Sequence, residues 1–154
     1  METPHDLKVI KKEIPVKILL DDLHAGPEEY LLFLSYHSRS GSAQETISEY
    51  LNHQQGFIPA RVTATNSLIL LNLQQVVYVL EKEPQSLPVQ KRLCLTLKND
   101  HRIEVDHFKK LPDGHCRLLD YLNEPDSYHS FLREGALIHV NKKKIIRSEE
   151  YELH

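Results

Sequence analysis

The sequence predicts a mostly β protein: two tandem small barrels of five strands each, one short helix per repeat, packed together. Three observations predict it. Acid-Tyr-Leu-Asn occurs twice, as Glu49-Tyr50-Leu51-Asn52 and as Asp120-Tyr121-Leu122-Asn123. Each copy is followed by the same succession of an apolar strand, a turn, a second apolar strand reaching an Asn, and a β-branched pair. Each is preceded by alternating apolar and polar residues, the period-two pattern of a half-buried strand.

In the first copy, Val16, Ile18 and Leu20 mark the opening strand, and Tyr30 to Tyr36 the second. A serine-rich loop, 37–43, leads to a helix over 45–52, for which Ser42 is the expected N-cap and Glu45 its capping-box partner. Asn52, at the end of the helical word, is expected to take the left-handed conformation of a helix C-cap, as is Asn123 in the second copy. Pro59 interrupts the next strand, which places it at an edge or a bulge. The turn Ala64-Thr65-Asn66 follows, and Leu71-Asn72 precedes Val76-Val77.

The second copy repeats the order. Leu93, Leu95 and Leu97 open it, His101 to Phe108 form the second strand, and 116–123 the helix. Val140-Asn141 then precedes Ile145-Ile146, and the turn is the shorter Glu134-Gly135. Asn72 and Asn141 are placed to fix their turns by Asx-type hydrogen bonds. Tyr50 and Tyr121 are expected to pack the helices, with their hydroxyls at the rim. The domain reading is a first barrel over 1–82, a proline-containing linker at 83–89 and a second barrel over 90–154. Five short strands and a helix are the inventory of a partly closed barrel of the SH3-like or Sm-like type. A unit this small buries little core alone, so the two copies are expected to pack on each other.

With 154 residues and 40% apolar side chains, the chain is neither collagen-like nor wholly disordered nor a disulfide-packed toxin. No apolar run approaches the ~20 residues of a membrane span. The opening METPHDLKVIKKEIP has no apolar core of the secretory kind, so a cytoplasmic location without membrane attachment is expected. Nineteen Lys and Arg stand against 22 Asp and Glu, a net charge of −3, which does not suit gripping a duplex along its length. Residues 1–89 carry 7 basic and 11 acidic side chains, and residues 90–154 carry 12 and 11. The first half is therefore acidic and the second slightly basic.

Ten histidines suggest metal, but their spacing does not, since no H-x-x-x-H, H-E-x-x-H or C-x-x-C occurs. His101 and His107 would stand ~20 Å apart along a strand. Cys94 and Cys116 are expected to be free thiols. No G-x-S-x-G elbow, catalytic cysteine signature or glycine-rich phosphate loop is present. Neither catalysis nor a cofactor nor a small-molecule substrate is expected.

Copy one carries Ile47-Ser48-Glu49-Tyr50-Leu51-Asn52, Phe57-Ile58-Pro59-Ala60 and Leu71-Asn72; copy two carries Arg117-Leu118-Leu119-Asp120-Tyr121-Leu122-Asn123 and Val140-Asn141. On these words the chain resembles a bacterial family of uncharacterised small-barrel domains. That family has an opening V-x-V-x-L strand, an R-[LI]-S-D-x-L-N helix, an F-[LI]-P strand and a closing apolar-Asn word. Copy one departs with Thr46 in place of the Arg, and copy two with Ser130-Phe131-Leu132 in place of Phe-x-Pro. The resemblance implies a small β-barrel and no catalysis.

Lys142, Lys143 and Lys144, with Arg147, form the one compact basic cluster of the sequence, on the turn after Asn141. Such a cluster either protects a strand edge or contacts phosphate. The expected function is a non-enzymatic adaptor or assembly subunit of a bacterial cytoplasmic complex, using barrel edges or the exposed helix to hold a protein partner by strand addition or groove docking, or associating head to tail with further copies. The alternative is single-stranded RNA binding, with Asn141 near a base or sugar and Lys142, Lys143, Lys144 and Arg147 on phosphates.

Overall fold

A computed structural model describes residues 11–21, 26–36, 43–108 and 118–151. Ten antiparallel strands and two short helices succeed one another. The first group comprises β1 (Lys11–Leu20), β2 (Glu28–Ser35), α1 (Ile47–His53), β3 (Phe57–Val62), β4 (Leu68–Asn72) and β5 (Val76–Pro84). The second comprises β6 (Lys91–Leu97), β7 (Arg102–His107), α2 (Leu118–Leu122), β8 (Tyr128–Arg133), β9 (Ala136–Asn141) and β10 (Ile145–Tyr151). Single 3-10 turns, Leu73–Gln75 and Lys142–Lys144, join the last two strands of each group.

All ten strands belong to one sheet, in the order β10-β6-β7-β8-β9-β5-β1-β2-β3-β4. Within it the first group runs β5-β1-β2-β3-β4 and the second β10-β6-β7-β8-β9. Strands β5 and β9 pair across the middle, and β4 and β10 stand at the two ends without pairing to each other. The expectation of two barrels packed on one another therefore meets a different arrangement: the halves are joined edge to edge by hydrogen bonds, and the sheet is open. Strand β5 runs through Pro84, and residues 85–90 connect it to β6 without regular structure.

Burial follows position in the sheet. The edge strand β4 alternates, whereas Val76, Val77, Tyr78 and Val79 of the central β5 are all buried, because both faces of that strand are covered. Two cores result, and each borrows from the other half. Leu32, Leu34, Leu51 and Ile58 are packed with Tyr128 of β8, and Leu93, Leu95, Phe131 and Ile138 with Leu19, Val77 and Tyr78. Full burial of a side chain such as Leu32 stabilises the fold by about 2 kcal/mol.

Local details differ instructively from the sequence reading. Helix α1 begins one turn later than Ser42 implies. Its N-cap is Thr46, whose hydroxyl accepts from Glu49 N (3.1 Å) while the Glu49 carboxylate accepts from Thr46 N (3.0 Å). The Glu45 carboxylate instead accepts from Ser35 N (2.9 Å), tying the helix entry to β2. Ser42 lies outside the described residues, as do most of the serine-rich loop 37–43, Arg117 and Cys116. Cys94 is a buried free thiol. The β8–β9 hairpin turns on Glu134 (φ 51°) and Gly135 (φ 84°), the paired left-handed conformation of a tight two-residue connection. Pro59 sits in β3 just beyond the last residue that β2 pairs, Ala60, where its missing N–H breaks no ladder bond to β2. No helix of the described residues is long and apolar enough to cross a membrane.

Candidate functional site

The junction between the halves is polar at its rim and bonded through side chains. The Asn52 carboxamide accepts from Tyr128 N (2.8 Å) and reaches Tyr128 O with its Nδ2 (3.4 Å). The Tyr128 hydroxyl, buried in the first core, donates to Leu73 O (3.2 Å). Burial pushes this phenol well above its usual pKa, so it stays a neutral donor. Neither Asn52 nor Asn123 takes a positive φ, so the expected C-cap role gives way to the bracket at Asn52.

Asn141 belongs to the same junction. Its side-chain oxygen accepts from Lys143 N (3.1 Å), and its Nδ2 donates to Val76 O (2.9 Å). The first half of that pair is the expected Asx bond, matched by Asn72 and Gln74 N (3.0 Å). The second bond ties β9 to the start of β5 and leaves Asn141 only 6% exposed.

The basic cluster is divided by the fold. Lys142 Nζ donates to Glu124 O (2.8 Å). Lys144 points inward, nearly buried, against Asp21 at the end of β1 (2.5 Å). Lys143 is exposed, and Arg147 is exposed and paired with Glu149 (2.8 Å). Of the four cations, two are thus built into the structure and two face solvent.

Ser130, His139 and Glu81 form a relay that spacing could not reveal. Ser130 Oγ lies 2.7 Å from His139 Nδ1, and His139 Nε2 lies 2.6 Å from Glu81 Oε2. These are nucleophile, base and orienting carboxylate by residue type. Ser130 and His139 are 5% and 1% exposed, however, so the hydroxyl meets neighbouring side chains rather than a cleft. The relay binds β8 and β9 to β5. Tyr121, expected to hold its hydroxyl at the rim, buries it instead: it accepts from Ser130 N (2.7 Å) and donates to Ser130 O (2.9 Å). The Tyr50 ring is buried too, which raises its phenol to about 12.

An open groove of about 390 Å³ beside β6 and β7 sets Arg92, Arg102 and Arg133 against Glu104, Asp106 and Glu134. Three cations facing three carboxylates give it no net charge to draw an ionic ligand. No group of three or more metal-ligating side chains occurs among the described residues.

Among the described residues, the most exposed large apolar side chains cluster at the β4 end of the sheet. Phe57, Leu68 and Leu70 are 62%, 63% and 67% exposed. They share the outer face of the β3–β4 hairpin, where Pro59 pairs with Leu70 and Arg61 with Leu68. Among the described residues, strand β4 is paired on one side only, so apolar side chains and a hydrogen-bonding edge coincide. Sequence reasoning missed this site. Its signal was present in Leu68-Ile69-Leu70-Leu71, which is apolar at every position although an edge strand with one wet face should alternate. At the opposite end, on β10, Ile146 is 62% exposed.

Comparison with known proteins finds no matching family model, no matching curated protein and no matching solved structure.

Proposed function

We propose that the protein is a non-catalytic assembly subunit of a cytoplasmic complex that binds protein through its free sheet edge. The observation that carries this reading is the coincidence, on β4, of an unpaired backbone with Phe57, Leu68 and Leu70 exposed beside it. Strand addition uses both, since main-chain bonds supply affinity and alternate side chains supply selectivity. We further read the chain as two small-barrel units, 1–82 and 90–154, with 83–89 between them. The common strand order, the paired Asx turns and the 3-10 turn before each closing strand support that division.

Two measurements test the reading. Leu70→Lys puts a charge on the exposed edge without touching the cores. A protein retained from cell extract by the wild type and lost by this variant supports edge binding, and retention indifferent to the charge overturns it. Fluorescence anisotropy with short single-stranded RNA, at low and physiological salt, tests the alternative. The informative variant is Lys143→Gln with Arg147→Gln, because Lys144 is structural. Salt-sensitive binding abolished by that pair replaces the assembly reading with a phosphate-binding one.

A further inference from the structure

We propose that the occupant of the β4 edge is a second copy of this chain, which adds its β10 strand and so repeats, between molecules, the junction that β5 and β9 make within one. The inference rests on the edge-binding and two-unit readings above and names their partner.

The sheet order carries the argument. In the middle of the sheet, the fifth strand of the first group, β5, pairs with the fourth strand of the second, β9. The strands left over at the two ends are the fourth of the first group, β4, and the fifth of the second, β10. The free edges are therefore the same two kinds of strand that already meet inside the molecule.

Register makes the match residue by residue. Hairpin β3–β4 begins with Phe57 opposite Asn72 and runs through Pro59 opposite Leu70; hairpin β8–β9 begins with Tyr128 opposite Asn141 and runs through Ser130 opposite His139. Tyr128, Ser130 and His139 are buried, Tyr128 within the first half's core and His139 against Glu81 of β5. Their counterparts Phe57, Pro59 and Leu70 are exposed. The closing strands correspond as well. Each skips one residue where it leaves its neighbour, Val77 between Leu19 and Leu20 and Ile146 between Thr96 and Leu97. Val77 is 5% exposed, packed into the other half's core, whereas Ile146 is 62% exposed. Each end of the sheet thus shows uncovered, and in apolar form, what the internal junction covers.

Transferring the internal register sets Arg147 opposite Leu71, Ser148 opposite Leu70 and Glu149 opposite Ile69 of the next copy. Exposed Asn123, which stands in the second copy of the Tyr-Leu-Asn word where Asn52 stands in the first, comes to the Phe57 backbone. Ile146 then meets the face of Ile69 and Leu71, as Val77 packs with Ile138 and Val140, while Ser148 stands beside Leu70 on the outer face. The acidic first half then meets the slightly basic second half. Such a contact is heterologous, so it propagates into a ring or an open filament rather than stopping at a two-fold dimer.

The test uses the full chain with each edge blocked in turn, Leu70→Lys for β4 and Ile146→Lys for β10, both exposed positions. Near-ultraviolet circular dichroism checks that each variant keeps the wild-type fold, and Leu68→Lys replaces Leu70→Lys if it does not. Sedimentation is followed from micromolar to millimolar concentration. The wild type is expected to grow beyond the mass of two chains, and each variant alone to stay at the mass of one. An equimolar mixture of the two variants is expected at twice that mass, because one intact β4 then meets one intact β10. A wild type that stays monomeric throughout overturns the proposal while leaving edge binding of another protein to the capture experiment. An Ile146→Lys variant that still associates as fully as the wild type shows a β4-to-β4 contact and overturns it too.

Discussion

Asn52, in the last turn of α1, holds the backbone of Tyr128 by both polar atoms of its carboxamide, 76 residues away along the chain. The contact replaces a ladder partner at the first residue of β8 and ties the two halves together. Asn52→Ala is expected to destabilise the protein by about 1–3 kcal/mol, the cost of stranding a part-buried backbone group. Asn52→Gly separates this role from a helix C-cap. A left-handed C-cap tolerates glycine, whereas the bracket loses as much to glycine as to alanine; urea denaturation of both variants decides.

Tyr121 serves the second half in a comparable way from within its core. Its hydroxyl satisfies both the N–H and the carbonyl of Ser130. Tyr121→Phe keeps the ring and removes both bonds, so a loss of about 1–3 kcal/mol is expected. Tyr128→Phe, which gives up one longer bond to Leu73 O, should cost less. Thermal melts of the two variants side by side check the order.

Lys143 and Lys144 are neighbours with opposite fates. Lys144→Met leaves the Asp21 carboxylate without its cation in a site that is mostly closed, at a cost of about 3–5 kcal/mol. Lys143→Met, at an exposed position, should stay within about 0.5 kcal/mol of wild type. Equal effects in chemical denaturation would show that the Asp21 contact contributes nothing.

His129 supplies a pH dependence. Burial is the main cause that lowers its pKa from the ordinary 6.5, and a bond to Leu122 O (3.1 Å) opposes it. Because the folded ring resists a proton that the unfolded ring accepts, the unfolded state binds more protons at mildly acid pH. Stability is therefore fully present above 6.5 and declines as pH falls through 6.5 toward the lowered folded value. Melting temperatures should drop between neutral and mildly acid buffer. His129→Gln should flatten that slope even if it lowers the starting point.

Much of the architecture was legible in the chain itself. Period-two alternation in Val16-Lys17-Ile18 and in Leu95-Thr96-Leu97 marked strands, because a strand with one buried face writes that face into every second residue. The recurring Tyr-Leu-Asn and apolar-Asn words marked the helices and the turns, since an Asx bond needs only its own neighbours. These are local properties, and local properties survive reading along a line.

What tertiary structure alone decided is which strands meet. Nothing near Val77 says that it packs into the second core while its counterpart Ile146 faces water, for β5 lies between β1 and β9 whereas, among the described residues, β10 pairs with β6 alone. The same pairing turned Lys144 inward to Asp21, separated it from Lys143, and set Ser130, His139 and Glu81 in a line. Hydrogen bonds between strand edges are made by backbone, which is alike at every residue. The sequence can therefore announce a strand, and only the fold can choose its neighbour.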